Sequence, residues 1–396
     1  MTTIPLRYLA EINPQTPELE AVTADTPVMF LPLETVWADG RADQTRTVPK
    51  RAVTSGYTRF RPGDVVCPKV TPTFQAGRSM IAQALGAGTT ELHILRPRQD
   101  VDPRWVCYAV RSKHFLDEGV TAFQGVAGLQ RVPAEYVASF RVADVSVDEQ
   151  RRIADFLDDR VTRIDQIIAA RTLQANLVEE AFLARMRAGV AGALNDDDTT
   201  TNSEIPWLER SHSSAVTVSM ARVLTLQRGV DLTDQQRRPG DVPVVTTAGI
   251  VGQHDEAICQ GPGVVIGRYG SVGNVHWVDE PFWPHNTTLY VKQTQGNDMR
   301  WIYYLLRSFP YAAMQARAAV PGINRNDLAV ELVPWIPVPL QRRAVELLAA
   351  DEHASKEHRA ELEASVTLLT EFKQSLITTA VSGELDVSTT GSGIPG

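Results

Sequence analysis

Apolar residues at Ile153, Leu157, Val161, Ile164 and Ile168 are spaced by four, four, three and four, which is one face of a helix. The stripe continues at Leu177 and Met186, and no proline interrupts the chain from Ala134 to Ile205. The opening Ser146-Val-Asp148-Glu149-Gln150 puts acid in the first turn, where the helix dipole favours it. A second stripe of Leu362, Val366, Leu369, Phe372 and Leu376 follows Pro337-Val-Pro339, and a proline at this point can set a helix start. The pattern predicts helices over 148–190 and 338–385, each of about 40 residues and roughly 60 Å. An apolar stripe on so long a helix needs a partner, and each helix is the obvious partner of the other.

The segments before these helices, 1–147 and 206–337, read differently. Val28–Leu31, Asp64–Cys67, Glu91–Leu95, Val264–Ile266 and Thr288–Val291 are short β-like runs bounded by proline or glycine. A helix around Trp105 to Phe115, and another around Trp301 to Phe309, interrupt them. Both segments therefore predict an α+β domain. The polar stretch within 191–205 reads as a linker and the glycine-rich 386–396 as a disordered tail.

The two halves repeat. Gln150-Arg-Arg152 returns as Gln341-Arg-Arg343, and Val190-Ala-Gly192-Ala-Leu194 as Val381-Ser-Gly383-Glu-Leu385, both at an offset of 191. Upstream the offset drifts: Gly128–Arg131 answers Gly322–Arg325 at 194, Arg104-Trp105 answers Arg300-Trp301 at 196, and Thr89-Thr90 answers Thr287-Thr288 at 198. Pro62-Gly63 answers Pro262-Gly263 at 200. Collinear matches with a smoothly drifting offset mark two copies of one unit, a variable domain followed by a length-locked helix. The first helix leads away from domain one and the second returns from domain two. This connectivity predicts antiparallel helices with an approximate two-fold axis across their middle.

Composition narrows the class. At 396 residues with 43% hydrophobic and 22% charged positions, the chain can build real cores. No run is long enough to span a membrane, and the N-terminus lacks the pattern of a secretion signal. The cysteines, Cys67, Cys107 and Cys259, are scattered and odd in number. A disulfide framework is excluded, and a reducing cytoplasm is the expected compartment. The formal net charge of −8 argues mildly against nucleic acid. Between Arg41 and Arg78, however, eight cations (Arg41, Arg46, Lys50, Arg51, Arg59, Arg61, Lys69, Arg78) face only Asp43 and Asp64. Such a run is either a solvated face or a local field for an anionic partner.

Catalytic patterns are missing. Gly267-Arg-Tyr-Gly270-Ser-Val-Gly273 has the glycines of a phosphate loop, but no helix pattern follows, and the stretch reads as a tight hairpin. Asp102-Pro-Arg-Trp105 falls one proline short of an amino-methyltransferase signature. Its copy Asp298-Met-Arg-Trp301 marks the shared feature as a capped helix start with a core tryptophan. Asp64 beside Lys69 suggests a nuclease pair, yet no second carboxylate is near and the copy has Val264 at that place. His353 and His358 are five apart and point to different helix faces.

In its two tandem copies the chain resembles the specificity (S) subunit of type I restriction-modification enzymes. The residues that carry the resemblance are Arg61–Val66, Pro262–Gly273, His285-Asn286 before a strand, Gly322–Arg325, the helix openings Asp148–Ile153 and Gln341–Arg343, and the ending Ala380–Leu385. Domain one departs from the pattern, with Pro68–Gly77 in place of the glycine-rich turn. The second helix opens without acid before its glutamine.

The resemblance implies target recognition domains at 1–147 and 206–337, each reading half of a split, asymmetric double-stranded DNA site. It implies an antiparallel coiled coil that sets the spacing and docks two methyltransferase (M) subunits, with restriction (R) subunits completing the complex. S-adenosylmethionine, ATP and Mg²⁺ would then serve those partners, and this chain would bind no cofactor. A length of roughly 60 Å matches nearly two turns of B-DNA. The candidate DNA contacts are Lys69, Thr71, Thr73, Gln75 and Arg78 in domain one and Arg268, Tyr269, Ser271 and Asn274 in domain two. Arg268 suits a guanine or a phosphate alike. Two other classes stay open, an enzyme with its own nuclease or methyltransferase site, and a coiled-coil scaffold that binds only protein.

Overall fold

A computed structural model describes residues 2–36, 42–125, 130–194, 199–315 and 322–387. The motif residues Gly128 and Leu129, the acidic run Asp196–Asp198, Arg41 of the basic run and most of the expected tail lie outside the described residues. The chain divides into two compact units, Met1–Thr172 with Glu363–Gly396, and Leu173–Leu362. Each unit therefore takes one α+β domain together with part of each long helix, Val147–Val190 and Val338–Ser382.

Unit 1 opens with the strand Thr3–Pro5 paired to Arg141–Ala143. Its central sheet runs in the order Ala10–Ile12, Leu92–Pro97, Val65–Pro68, Met80–Ile81, all antiparallel. A second sheet is mixed: Pro27–Leu31 pairs antiparallel with Thr47–Pro49 and parallel with Gly86–Gly88, which also pairs with Thr58–Phe60. Unit 2 has the same frame. Val216–Ser219 pairs with Leu332–Trp335. Its central sheet is ordered Thr225–Arg228, Thr288–Gln293, Gly263–Gly267, Val275–Val278. In the neighbouring sheet, Val242–Thr246 pairs antiparallel with Gly249–His254 and parallel with Trp283–Pro284. Several of these strands have only two or three residues, too few for an alternating pattern to show in sequence.

The helix around Trp105 is two helices, Pro103–Ala109 and Lys113–Thr121. Ser112 ends the continuous reading, because its hydroxyl accepts from Phe115 N and starts a new helix. In unit 2 the counterpart is Met299–Ser308, followed by the short helix Tyr311–Gln315. Asp102 and Asp298 cap these helices, and Trp105 and Trp301 are buried beneath them.

The glutamine of each Gln-Arg-Arg motif has one structural role. Gln150 Oε1 accepts from Asp102 N at 3.0 Å while its Nε2 donates to Val145 O at 3.1 Å. Gln341 repeats this with Asp298 N at 2.9 Å and Ile336 O at 2.8 Å. Each buried carboxamide thus ties the capped start of the domain helix to the start of a long helix.

The apolar stripes behave differently from end to end. Ile153, Leu157 and Val161 join Trp105, Val106 and Tyr108 in one core, together with Ile377, Ala380 and Val381 of the second long helix. In unit 2, Phe182, Met186 and Val190 pack with Trp301, Leu305 and Leu348. Leu177 and Phe372, expected in the stripes, are 52% and 42% exposed. Parts of the stripe join the domain cores, while Ile164 and Leu362 are buried outside them, so helix-to-helix packing alone does not account for the stripe. Within each unit the long-helix segments are also tied by ion pairs, Lys373 with Asp165 in unit 1, and Arg359 with Glu179 and Arg185 with Asp351 in unit 2.

Candidate nucleic-acid interface

The glycine-rich stretch of unit 2 is a hairpin turn. Gly263–Gly267 pairs with Val275–Val278, and Gly267 N donates to Asn274 O at 2.7 Å to close the ladder. Gly270 and Gly273 have φ near +74° and +83°, a region that disfavours side chains. A Cβ on Gly273 would also stand 2.6 Å from the Tyr311 ring. Ser271 and Asn274 are exposed on this turn.

Arg268 is tethered at three points. Its N–H donates to Thr287 O, its carbonyl accepts from Ile323 N at 3.0 Å, and its Nε donates to Ile323 O at 3.2 Å. Its guanidinium also lies 4.5 Å from the centre of the Tyr269 ring, and that ring packs against Gly322. The Gly267–Gly273, Thr287-Thr288 and Gly322–Arg325 motifs, far apart in sequence, therefore meet at one edge.

Lys69 holds the same position in unit 1. Its N–H donates to Glu91 O at 2.9 Å and its carbonyl accepts from Val132 N at 2.9 Å. The side chain turns to a different partner, with Nζ donating to Thr90 O at 2.8 Å. Pairing Lys69 with Arg268 gives an offset of 199, one less than the 200 read from Pro62 and Pro262, and the same bonds pair Glu91 with Thr287 at 196 and Val132 with Ile323 at 191, which corrects the 198 and 194 read from the sequence. Asp64 therefore answers Gly263 and not Val264. Asp64 has no nuclease arrangement. It is buried, accepts Arg96 Nε and Nη2 at 2.8 Å each, and caps the turn through Arg61 N.

Beyond Lys69 the two copies part. Val70–Gly77 coils on itself through Phe74 N to Val70 O and Gly77 N to Phe74 O, both 2.8 Å. Phe74 is buried against Phe115 and Phe123. Thr73 is occupied locally, its hydroxyl donating to Val70 O at 2.7 Å. Thr71 and Arg78 are half-buried and Gln75 is exposed. Arg78 Nε is buried with no hydrogen-bond partner among the described residues.

The charge on this edge is modest. Burial lowers the Lys69 pKa, with Glu91 opposing and Arg131 reinforcing the shift. Arg131 grips Glu91 with Nε and Nη2, both at 2.6 Å, and holds that carboxyl below its ordinary range. The basic run upstream does not form a free cationic face. Arg59 and Lys50 pair with Glu20, Arg61 with Glu18, and Arg51 with Asp25. These acids precede the run and face it across the fold, so a count along the sequence missed them. Arg46 lies over the Phe30 ring.

Sequence reasoning also missed Thr247 and the hairpin that carries it. Thr247 Oγ1 donates to Thr287 O at 3.0 Å, and His276 Nε2 donates to Thr247 O at 3.0 Å. The only legible trace was the glycine pair Gly249 and Gly252 around Ile250-Val251. No group of three or more His, Cys, Asp or Glu among the described residues is placed to hold a metal ion. No helix among them is long and apolar enough to cross a membrane.

No family model matches the chain. It is 30% identical over 167 residues to the type I restriction enzyme EcoEI specificity subunit of Escherichia coli, a stretch covering 40% of this chain and 28% of that protein. It is 29% identical over 168 residues to the EcoAI specificity subunit of the same organism, covering 41% and 28%. The matched stretch thus spans under a third of either relative. A solved chain from a study of complex assembly and conformational transition in the type I R-M system has the same fold. Its TM-score is 0.72 at 14% identity, over 97% of this chain and 98% of that one. The resemblance read from the sequence is borne out: this chain is a relative of the type I specificity subunits.

Proposed function

We propose that this chain is the DNA-recognition subunit of a type I restriction-modification complex and is not itself catalytic. The observation that carries the reading is the duplicated frame. One backbone arrangement occurs twice, with a cation at the same strand end, Lys69 in one copy and Arg268 in the other, followed by unrelated loops. Two equal frames with unequal loops suit two different DNA half-sites. The candidates Thr71, Thr73, Gln75 and Arg78 would face one half-site, and Tyr269, Ser271 and Asn274 the other.

In this reading the two long helices run antiparallel as a coiled coil and fix the gap between half-sites. They dock two M subunits, and R subunits join that assembly. S-adenosylmethionine, ATP and Mg²⁺ act in those partners, in the cytoplasm. The EcoEI and EcoAI similarity supports the specificity role.

The test uses the full chain assembled with its M subunit and probes altered one half-site at a time, at two salt concentrations. Arg268→Ala is expected to cost about 1–3 kcal/mol at one half-site, and Lys69→Ala to act only through the other. A base contact gives a sequence-dependent loss, and a phosphate contact a uniform loss with a shallower salt slope. Unchanged binding on every probe for both variants would remove these loops from the DNA-facing surface. An assembly that selects no sequence from a random pool would remove the function itself.

A further inference from the structure

Next to the Arg268 turn stands a second hairpin with an unusual tip. Val242–Thr246 pairs with Gly249–His254, with Thr246 opposite Gly249 and Val245 opposite Ile250. The turn is fixed by Thr246 Oγ1, which donates to Gly249 O at 3.1 Å and accepts from Ala248 N at 3.2 Å. Ile250 and Val251 follow at once and are 62% and 49% exposed. Adjacent β-branched apolar residues on a short exposed strand are a liability that proteins ordinarily avoid. Glycines flank them, with Gly249 at φ +101° and Gly252 at φ +159°.

The two hairpin turns form one rim. The Thr247 methyl lies 3.0 Å from where a Cβ on Gly267 would be, and 3.9 Å from the same point on Gly270. His276, in the strand after the Arg268 turn, bonds Thr247 O, and its ring lies 3.6 Å from the Cβ point of Gly249. The hairpin that carries Ile250 and Val251 therefore stands beside the turn that carries Tyr269 and Ser271.

We infer that Ile250 and Val251 read a thymine in the half-site bound by unit 2, through its C5-methyl group. This rests on the DNA-reading role proposed above. The major groove admits a two-stranded β-ribbon, and the thymine methyl is the apolar feature it displays. Arg237 flanks the hairpin, its Nη1 2.6 Å from the Cβ point of Gly252, whereas Arg238 beside it is already paired with Asp255 and Glu256. Arg237 on one side and the Arg268 turn on the other suit a polyanion beside an apolar tip better than a protein partner.

The experiment uses the full chain assembled with its M subunit. Sequences are first selected from a random duplex pool, which fixes the half-sites. Each thymine of each half-site is then replaced by deoxyuridine, which removes the methyl group and nothing else. One replacement in a single half-site should weaken binding about three- to fivefold for the methyl lost. The variant I250S/V251S should bind thymine and deoxyuridine probes equally while still selecting the other half-site. Wild-type binding that ignores every replacement, or a half-site without thymine, overturns the inference and leaves DNA recognition standing. So does a variant that loses its M subunit yet keeps the methyl effect, since the tip is then a protein contact. Failure to select any sequence defeats the DNA-reading role instead. If the double variant does not fold, the single variants I250S and V251S are read on the same probes.

Discussion

Acid should loosen unit 1 through one histidine. His93 is 3% exposed in the strand Leu92–Pro97. Its Nε2 is 2.9 Å from Val132 O and its Nδ1 is 3.1 Å from Asn13 Nδ2. A carbonyl only accepts and an amide NH₂ only donates, so the neutral ring with its proton on Nε2 satisfies both. Burial pushes the pKa of this ring down to about 4, against 6.5 when free, with the bond to Val132 opposing the shift. The unfolded chain therefore binds a proton at a pH where the folded chain does not. The stabilisation is full above pH 6.5 and is lost as pH falls toward 4, at up to about 1.4 kcal/mol per pH unit. Between pH 7 and pH 5 the loss comes to about 2 kcal/mol.

The unit 2 residue at the same ladder position is Leu289, opposite Ile266 as His93 is opposite Cys67. His93→Leu should remove the acid slope but leave Val132 O unpaired, at a cost of about 1–3 kcal/mol at every pH. His93→Gln keeps a donor and removes only the titration. Hydrogen exchange of the Leu92–Pro97 amides at pH 7, 6 and 5, in the full chain under mild urea, reads unit 1 locally. Corrected for intrinsic exchange, protection should fall with acid in the wild type and stay flatter in both variants. Equal acid sensitivity in all three proteins would refute the argument, because carboxylates elsewhere would then carry the slope.

Two further outcomes test the frame. Asp64→Ala removes the carboxylate partner of Arg96, which keeps Gln15 O and Thr16 Oγ1, and should destabilise unit 1 by about 2–3 kcal/mol, read by denaturant unfolding. Gln150→Leu and Gln341→Leu each leave a backbone N–H and a carbonyl unpaired, one of them buried, and each should cost about 1–3 kcal/mol in its own unit only, read by exchange of Pro103–Ala109 and Met299–Ser308.

The repeat was legible because it rests on backbone chemistry that demands particular residues. Proline, glycine, a capping aspartate and a buried glutamine recur at drifting but ordered offsets. The hairpin at Gly267–Gly273 was readable for the same reason, and both long helices from the spacing of their apolar residues. Three things were not. The cations from Lys50 to Arg61 looked free because their acids, Glu18, Glu20 and Asp25, lie upstream and meet them only through the fold. Leu177 and Phe372 looked like core because spacing does not report where a domain stops covering a helix. The Thr247 hairpin was silent because its bonds are to backbone carbonyls, which leave little mark on residue choice.

Side chains between domain and long helix have been rewired while the glutamine ties persist. Tyr108 and Arg104 reach Asp158 in unit 1, and their equivalents Tyr304 and Arg300 reach Glu352 in unit 2. At the helix offset of 191, Glu352 answers Val161 and Asp158 answers Ala349, so the acid has moved by about one helical turn. The surroundings changed with it: Glu352 also accepts Arg307 and Lys356, whereas Arg104 also spans Asp102 and Asp155. The same tyrosine and arginine thus reach an acid at two helix positions, and the other charges around it differ between the copies. Gln150 and Gln341 need no particular side chain for their ties, since they bind a backbone N–H and a backbone carbonyl that every non-proline residue supplies. The same holds at Lys69 and Arg268, whose places are set by main-chain bonds on both sides. A frame held by main chain at these junctions lets the neighbouring loops vary without moving the edge that presents them. The two loops beside Lys69 and Arg268 can therefore differ on one chain without loss of fold.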